Sequence, residues 1–386
     1  MLLRGVLYKE TVMQSWLFGA SIVIGAMMFC ALPVTAAEGK PLPAALEGVH
    51  RLAFFGDSLT DGSDFPEYIV NTLNRLYPEQ KFDFINAGIC GNRAKDLVNR
   101  LDRDILSQKP GLTFIFIGTN DHADVAPIQF KAELMYLSRR LKAAGSKVAF
   151  ISLSGNTDPE KAAKLRVFSE ISREVAAAEK DLFIDAWSFF EKEQKSGKEM
   201  YNAPADSHHS LEGFRGMARV ILTALGVPAD AEMVLTVAPP ANLLTAWEES
   251  GPVTVEKGKT LEPSLVTEWT KYDPAQWVDK RDWALKPLTQ RGAWFPLQAD
   301  GKGKSAFART TYDAPKDGLY ELQLGGSGVV VWVNGTKIYT MGDFFKSATN
   351  GYHPNAVRTP VLLKKGKNEI VITCGFYAFV GVKPLD

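Results

Sequence analysis

The stretch Leu52-Ala53-Phe54-Phe55-Gly56-Asp57-Ser58-Leu59 decides the fold class, because a short apolar run passes directly into a small polar turn. Further apolar runs follow it, and amphipathic stretches with helical periodicity fill the gaps. Strands are predicted at 52–55, 82–85, 112–117, 148–153 and 182–184, and helices at 68–76, 94–106, 130–141, 160–178 and 211–225. This alternation predicts an α/β fold with a parallel sheet, whose ligands bind beyond the carboxyl ends of the strands.

After Pro228 the pattern changes. Residues 229–263 are rich in Pro, Ala and acidic residues and are predicted to be a linker, in which 233–237 is a candidate extra strand. Beyond the linker, short alternating runs predict strands at 307–312, 319–324, 329–333, 336–339, 361–363 and 369–373. Asn334-Gly335 between two of these runs predicts a type I′ hairpin. The expected domains are therefore 48–228 and 264–386, the second an all-β sandwich or jelly roll.

Length indicates the number of domains, and net charge indicates the kind of partner. A chain of 386 residues is long for a single core and suggests two domains. Its 44 basic and 44 acidic residues balance, which argues against a nucleic-acid surface or a polybasic membrane face. The expected partners are therefore small or neutral molecules.

The first 37 residues are predicted to be a signal peptide. Arg4 and Lys9 precede an apolar run over 16–32, and the small residues at 34–37 offer a cleavage site. The mature protein is then expected outside the cytoplasm, secreted or periplasmic, with no stable membrane insertion after cleavage. An uncleaved membrane anchor is the alternative, because the run approaches spanning length.

Four short motifs carry the residue types that serine acyl hydrolysis needs. They are Gly56-Asp57-Ser58-Leu59, Cys90-Gly91-Asn92, Gly118-Thr119-Asn120-Asp121 and Asp206-Ser207-His208-His209. Ser58 is the candidate nucleophile, since it follows the first predicted strand, although serine at a helix entry is also common for capping alone. The candidate oxyanion donors are the N–H groups of Ser58 and Gly91 and the amide of Asn120. Gly91 would otherwise serve a turn, and Asn120 an Asx turn.

His209 is the candidate general base, because Asp206 lies three residues before it and would orient the imidazole. Its neighbour His208 is the alternative. A solvated loop, or a metal site formed by both imidazoles and Asp206, stays open as a further interpretation. Asp121 is expected to cap or brace its loop.

With these motifs, residues 52–225 resemble the SGNH, or GDSL, hydrolase superfamily. Ser58 matches the nucleophile of the first block, Gly91 and Asn120 the donors of the second and third, and Asp206 with His209 the final acid and base. The resemblance implies a flavodoxin-like three-layer α/β/α sandwich, no metal or organic cofactor, and ester hydrolysis through an acyl-serine intermediate. One departure from the family pattern concerns the number of residues between the histidine and a helix glycine, here Gly213. Counted back from Gly213, the family spacing favours His208. His209 is nevertheless preferred, because it lies three residues after Asp206.

The last hundred or so residues resemble, more weakly, the galactose-binding-like jelly rolls of secreted carbohydrate-active enzymes. Five tryptophans there, Trp269, Trp277, Trp283, Trp294 and Trp332, are candidates for sugar stacking or, preferably, for core packing. Together these features predict a secreted serine esterase that removes acyl groups, acetyl above all, from a polysaccharide. The alternatives are a lysophospholipase or thioesterase of the same superfamily, and a carbohydrate-binding surface protein with a vestigial hydrolase domain.

Overall fold

The structure is a computed structural model that describes residues 41–237, 239, 242–254, 260–273, 292–294, 304–326, 328–340, 357–375 and 377–385. The predicted signal peptide, Trp277 and Trp283 lie outside these residues. Residues 40–386 form one compact unit. Within the described part of the chain, no helix is both long enough and apolar enough to span a bilayer.

The first half is a five-stranded parallel sheet in the order β2-β1-β3-β4-β5, which confirms the predicted α/β core. Its strands are β1 Arg51–Gly56, β2 Asp83–Gly88, β3 Leu112–Phe116, β4 Lys147–Ile151 and β5 Leu182–Ile184. Its helices are α1 Ser58–Asp61, α2 Phe65–Leu76, α3 Ala94–Asp104, α4 Pro127–Ala143, α5 Pro159–Glu179, α6 Ala186–Lys195 and α7 Leu211–Ala224. Asp158 is the N-cap of α5: its side chain accepts a hydrogen bond from the Lys161 N–H, and Pro159 follows it at the first helical position.

Apolar residues of the strands lie between two helical layers. Helix α7 contacts α2 and α6, and helix α4 contacts α3 and α5, which gives two separate groups of helices around the sheet. Phe54 of β1 stacks on Phe114 of β3, with ring centroids 4.9 Å apart. Gly56 of β1 pairs in register with Gly88 of β2 and Phe116 of β3. The loops that follow these three strands therefore leave the sheet at the same edge.

The second half is antiparallel. It contains a six-stranded sheet, β13-β12-β15-β10-β6-β8, a three-stranded sheet, β14-β11-β16, and a two-stranded pair, β7-β9. The strands are β6 Glu248–Glu249, β7 Val253–Thr254, β8 Thr270–Lys271, β9 Lys304–Ser305, β10 Ala308–Ala314, β11 Gly318–Gly326, β12 Val330–Val333, β13 Thr336–Thr340, β14 Val357–Leu363, β15 Gly366–Thr373 and β16 Ala378–Pro384. We call these strands the antiparallel region. Its jelly-roll topology and its likeness to galactose-binding modules stay predictions.

Three local expectations for the residues after Pro228 have different outcomes. Asn334 and Gly335 connect β12 and β13 with φ values of 48° and 77°, so the hairpin is confirmed. Residues 233–237 form no strand; instead the segment packs on α2, where the Val234 N–H donates to Thr72 Oγ1 at 2.9 Å. The linker residues 248–249 and 253–254 are β6 and β7 and join the antiparallel region.

Candidate active site

Ser58 begins the single helical turn α1, directly after the carboxyl end of β1. The side chain of Asp57 caps this turn by accepting a hydrogen bond from the Leu59 N–H at 2.9 Å. The turn lies very close to β2, since a Cβ added to Gly88 would come within 2.1 Å of the Asp61 nitrogen. Capping and the small Gly88 together fix Ser58 at the edge of the sheet where the loops converge.

His208 is the imidazole that contacts Ser58. Its Nε2 lies 3.0 Å from Ser58 Oγ, and its Nδ1 lies 2.7 Å from Asp206 Oδ1. The same Asp206 oxygen accepts the His208 backbone N–H at 3.0 Å, which is an Asx turn. Ser58, His208 and Asp206 thus form one hydrogen-bonded chain, an arrangement that could act as a catalytic triad.

The prediction that His209 lies beside Ser58 is wrong. His209 is 1% exposed, and its Nε2 lies 2.7 Å from Ser154 Oγ. His209 pairs with Tyr201 in an antiparallel bridge, and neighbours along an extended segment point to opposite sides. The Asx turn therefore directs the carboxylate of Asp206 two residues on, to His208, and not three.

The surroundings of His209 are aromatic. Its ring lies 4.7 to 6.3 Å, centroid to centroid, from the rings of Phe190, Tyr201, Phe116 and Phe214. Burial, and then the charge of His208, lowers the pKa of His209 to about 3. His209 is therefore a neutral, buried imidazole.

Two of the three predicted oxyanion donors, Gly91 and Asn120, lie in the loops after β2 and β3. Gly91 has φ 77°, in the region that favours glycine. The Asn120 amide donates to the Asn92 carbonyl at 2.9 Å, and it lies 3.5 Å from Asp57 Oδ2. Asn120 thus connects the Gly91 loop to the turn that carries Ser58.

Arg100, which the sequence analysis did not identify, connects the loop after β2 to the end of β1. The side chain is buried, donates to Asn92 Oδ1 at 2.8 Å and to the Gly56 carbonyl at 2.9 Å, and pairs with Asp104 at 3.0 Å. Burial lowers the pKa of Arg100 to about 10, which leaves it charged at neutral pH. The sequence signal for Arg100 is its position three residues after Leu97 and one before Leu101, which places a charged residue on the buried, apolar face of α3.

Two buried carboxyl groups lie behind the donors. Asp121 Oδ1 accepts the Ala94 N–H at the start of α3 at 3.0 Å, which is the bracing role expected of it. Burial raises the pKa of Asp57 and of Asp121 to about 7, and their mutual repulsion contributes at Asp57. The described residues contain no group of three or more His, Cys, Asp or Glu arranged to hold a metal ion.

The part of the chain that holds this site is similar to known proteins. Residues 54–215 match the model of the GDSL-like Lipase/Acylhydrolase family. The chain carries a GDSL-type hydrolase domain. An acetylxylan esterase from Geobacillus stearothermophilus is 25% identical to it over 205 residues, covering 46% of this chain and 94% of the relative. Esterase TesA from Pseudomonas aeruginosa is 29% identical over 140 residues, covering 34% of this chain and 68% of that one.

Among solved structures, a catalytic mutant of Axe2, an acetylxylan esterase from Geobacillus stearothermophilus, is 25% identical with a TM-score of 0.43. That match covers 47% of this chain and 95% of the other. With its GDSL-type domain, this chain is a carboxylic ester hydrolase.

Proposed function

We propose that this protein is an extracytoplasmic serine esterase that removes acetyl groups from carbohydrate. The observation that carries the proposal is the hydrogen-bonded chain from Ser58 through His208 to Asp206, with distances of 3.0 and 2.7 Å. In this scheme Ser58 is the nucleophile, His208 the general base and Asp206 the group that orients the imidazole. All of these groups belong to the chain, and no cofactor enters the reaction.

The first half of the reaction acylates Ser58. His208 Nε2 takes the hydroxyl proton while Ser58 Oγ bonds to the ester carbonyl carbon. The carbonyl π electrons move onto oxygen, and the N–H groups of Ser58 and Gly91 with the Asn120 amide stabilise the oxyanion. Asp206 accepts the Nδ1–H of His208 and stabilises the imidazolium. When the carbonyl re-forms, the ester C–O bond breaks and the leaving alkoxide takes the proton from His208.

Deacylation repeats these steps with water. His208 Nε2 takes a proton from water as its oxygen attacks the acyl-serine carbonyl, and the same donors hold the second oxyanion. Collapse of this intermediate breaks the bond to Ser58 Oγ, which takes the proton back from His208. The products are free Ser58 and the acid, acetic acid for an acetyl ester.

The carbohydrate substrate is supported by two features. The relative aligned over 205 residues bears the name acetylxylan esterase. The loops that carry Ser58, Gly91, Asn120 and His208 contain no long apolar segment of the kind that would enclose a fatty chain. The extracytoplasmic location rests on the basic, apolar and small-residue order of the first 37 residues.

Substitution tests the chemistry. In Ser58→Ala and His208→Gln we expect kcat for a small aryl acetate to fall by about 10³-fold or more. His209→Gln is the matched control at the neighbouring position and is expected to keep kcat within about fivefold, because His209 touches Ser154 and not Ser58. Wild-type turnover in Ser58→Ala, or loss in His209→Gln with full activity in His208→Gln, would refute the scheme.

A substrate panel tests the acyl group and its carrier. We expect acetate release from acetylated xylan or another acetylated polysaccharide, and kcat/KM that falls as the acyl chain lengthens. Faster cleavage of long-chain lysophospholipids or acyl thioesters would replace the proposal with the lysophospholipase or thioesterase alternative. Glycan binding that is unchanged by Ser58→Ala, without any ester turnover in the wild type, would indicate a vestigial domain.

A further inference from the structure

A side chain next to the antiparallel region contacts the nucleophile turn, α1. Tyr377, which immediately precedes β16, donates its hydroxyl to Asp61 Oδ2 at 3.2 Å. Asp61 is the last residue of α1, three positions after Ser58, and both Tyr377 and Asp61 are only 4% exposed. A buried hydrogen bond therefore joins the second half of the chain to the turn that carries the nucleophile.

The nucleophile turn is small enough for this contact to matter to Ser58. It is a single four-residue turn, closed by hydrogen bonds from the Asp61 N–H to the Asp57 carbonyl and from the Gly62 N–H to the Ser58 carbonyl. Further supports come from β2, where Asn86 donates to the Thr60 carbonyl at 3.0 Å and Gly88 lies against Asp61. A displacement of Asp61 thus displaces Ser58 with it.

Tyr377 is a rigid support. Next to it, the Ala378 N–H donates to the Trp294 carbonyl and the Trp294 N–H donates to the Ala378 carbonyl, both at 2.9 Å. Its ring packs edge-on against Phe379, with centroids 5.8 Å apart. Burial, followed by the neighbouring charge of Asp61, raises the pKa of Tyr377 well above its usual range, so the hydroxyl keeps its proton and acts as a donor.

We propose that Tyr377 is a positioning residue for Ser58, and that the antiparallel region is for this reason an obligatory part of the esterase site. This inference rests on the proposed role of Ser58 as nucleophile. The hydroxyl of Tyr377 fixes the carboxylate of Asp61, and through it the angle at which Ser58 Oγ meets both His208 and the ester carbonyl. Small errors in such an attack geometry cost large factors in rate.

Tyr377→Phe tests the proposal, because it removes only the hydroxyl oxygen. For a small aryl acetate we expect kcat to fall about 10- to 100-fold while KM changes less than about twofold. The rate at which a fluorophosphonate labels Ser58 should fall by a similar factor. The matched control is Tyr320→Phe, another buried tyrosine of the antiparallel region, whose hydroxyl donates to the Lys316 carbonyl at 2.9 Å. This control should keep wild-type kcat and labelling.

Asp61 variants separate positioning from general support. Asp61→Asn keeps an oxygen that accepts the Tyr377 hydrogen bond and should retain most of kcat, whereas Asp61→Ala should lose at least as much as Tyr377→Phe. The double variant Tyr377→Phe/Asp61→Ala should be no slower than Asp61→Ala alone, because loss of the carboxylate already breaks the contact with the Tyr377 hydroxyl.

Three results would overturn the positioning role. They are wild-type kcat in Tyr377→Phe, an equal loss in Tyr320→Phe, and losses in the double variant that multiply. Activity that survives in Ser58→Ala refutes the proposed function itself, whatever Tyr377→Phe does. An inactive Ser58→Ala together with a fully active Tyr377→Phe refutes only the role of Tyr377.

Discussion

His208 and His209 are adjacent in sequence and have opposite environments. His208 lies at the site surface between Ser58 and Asp206, whereas His209 is enclosed by aromatic rings and bonded to Ser154. The Nδ1 of His209 finds no hydrogen-bond partner among the described residues. Because the imidazole of His209 is buried and neutral, the free energy of unfolding should depend on pH.

We predict that His209 makes the protein acid-sensitive. Its folded pKa of about 3 lies below the ordinary 6.5, so unfolding takes up a proton between these two values. The stability that His209 contributes is therefore complete above pH 6.5, declines as the pH falls toward 3, and then levels off. Between pH 7 and pH 5 this one group lowers the free energy of unfolding by roughly 2 kcal/mol.

The measurement is urea unfolding of the wild type and of His209→Gln at both pH values. The variant is expected to be less stable at pH 7, through lost packing, but to lose roughly 2 kcal/mol less than the wild type on going to pH 5. Asp57 and Asp121, whose raised pKa values act in the opposite direction, are present in both proteins, so their effects cancel in the difference. Equal pH dependence of the two proteins would contradict the prediction.

At the scale of single elements, the close approach of β2 to α1 should be intolerant of any side chain. In Gly88→Ala the new Cβ would meet backbone atoms of Asp61 at 2.1 and 2.7 Å, and backbone cannot rotate away. We expect a loss of about 1–3 kcal/mol in unfolding free energy. We also expect a lower kcat, because the turn that must shift carries Ser58.

Gly62→Ala is the control for this prediction. Gly62 follows the same turn with φ −86°, and its added Cβ would have the Ser58 carbonyl oxygen at 3.7 Å, an ordinary contact. Its unfolding free energy should stay within about 0.5 kcal/mol of the wild type. Chemical denaturation of both variants measures the two free energies of unfolding. Equal values would contradict the prediction and show that the turn accommodates the added methyl group without loss of stability.

Sequence patterns predicted the elements that have a clear apolar pattern and missed those that do not. The five parallel strands lie within a few residues of their predicted positions, because each is a buried apolar run between polar turns. Helix α1 has four residues, too few to show a period. Helix α6 begins with Ala186-Trp187-Ser188-Phe189-Phe190, whose aromatic residues obscure its helical pattern, although Asp185 caps it. Strand β16 contains Gly381 and ends at Pro384, both of which weaken a strand signal.

The site shows the same division. The four motifs follow predicted strands of a parallel sheet or lie in loops beyond them, and the carboxyl ends of these strands lie at one edge. Their order therefore predicted that Ser58, Asn120 and Asp206 lie at that edge. The choice between His208 and His209 depends on an Asx turn, and the contact from Tyr377 depends on a strand that periodicity missed. Neither has a local signature in the sequence.

Across the whole molecule, the predicted linker binds to both halves of the chain. Beside α2, Arg75 pairs with Glu232 at 2.8 Å, and Asn71 donates to the Thr236 carbonyl at 2.9 Å. Farther on, Glu249 of β6 pairs with Ala308 of β10. The two halves are thus connected by ordered contacts, in addition to the one between Tyr377 and Asp61.

These connections predict that the two halves unfold together. Trp294, which forms a bridge with Ala378 of β16, is fully buried, and Trp294→Ala should lower the free energy of unfolding by about 3–5 kcal/mol. Since residues 40–386 form one compact unit, that loss should also destabilise the esterase site. We expect the temperature of half-inactivation of esterase activity to fall by several degrees, together with the unfolding midpoint from circular dichroism.

The control is Leu362→Ala, at a side chain that is 78% exposed, which should change neither value. An early transition in Trp294→Ala that leaves activity intact would show instead that the antiparallel region melts alone, and the contact at Asp61 would then be too weak to couple the halves.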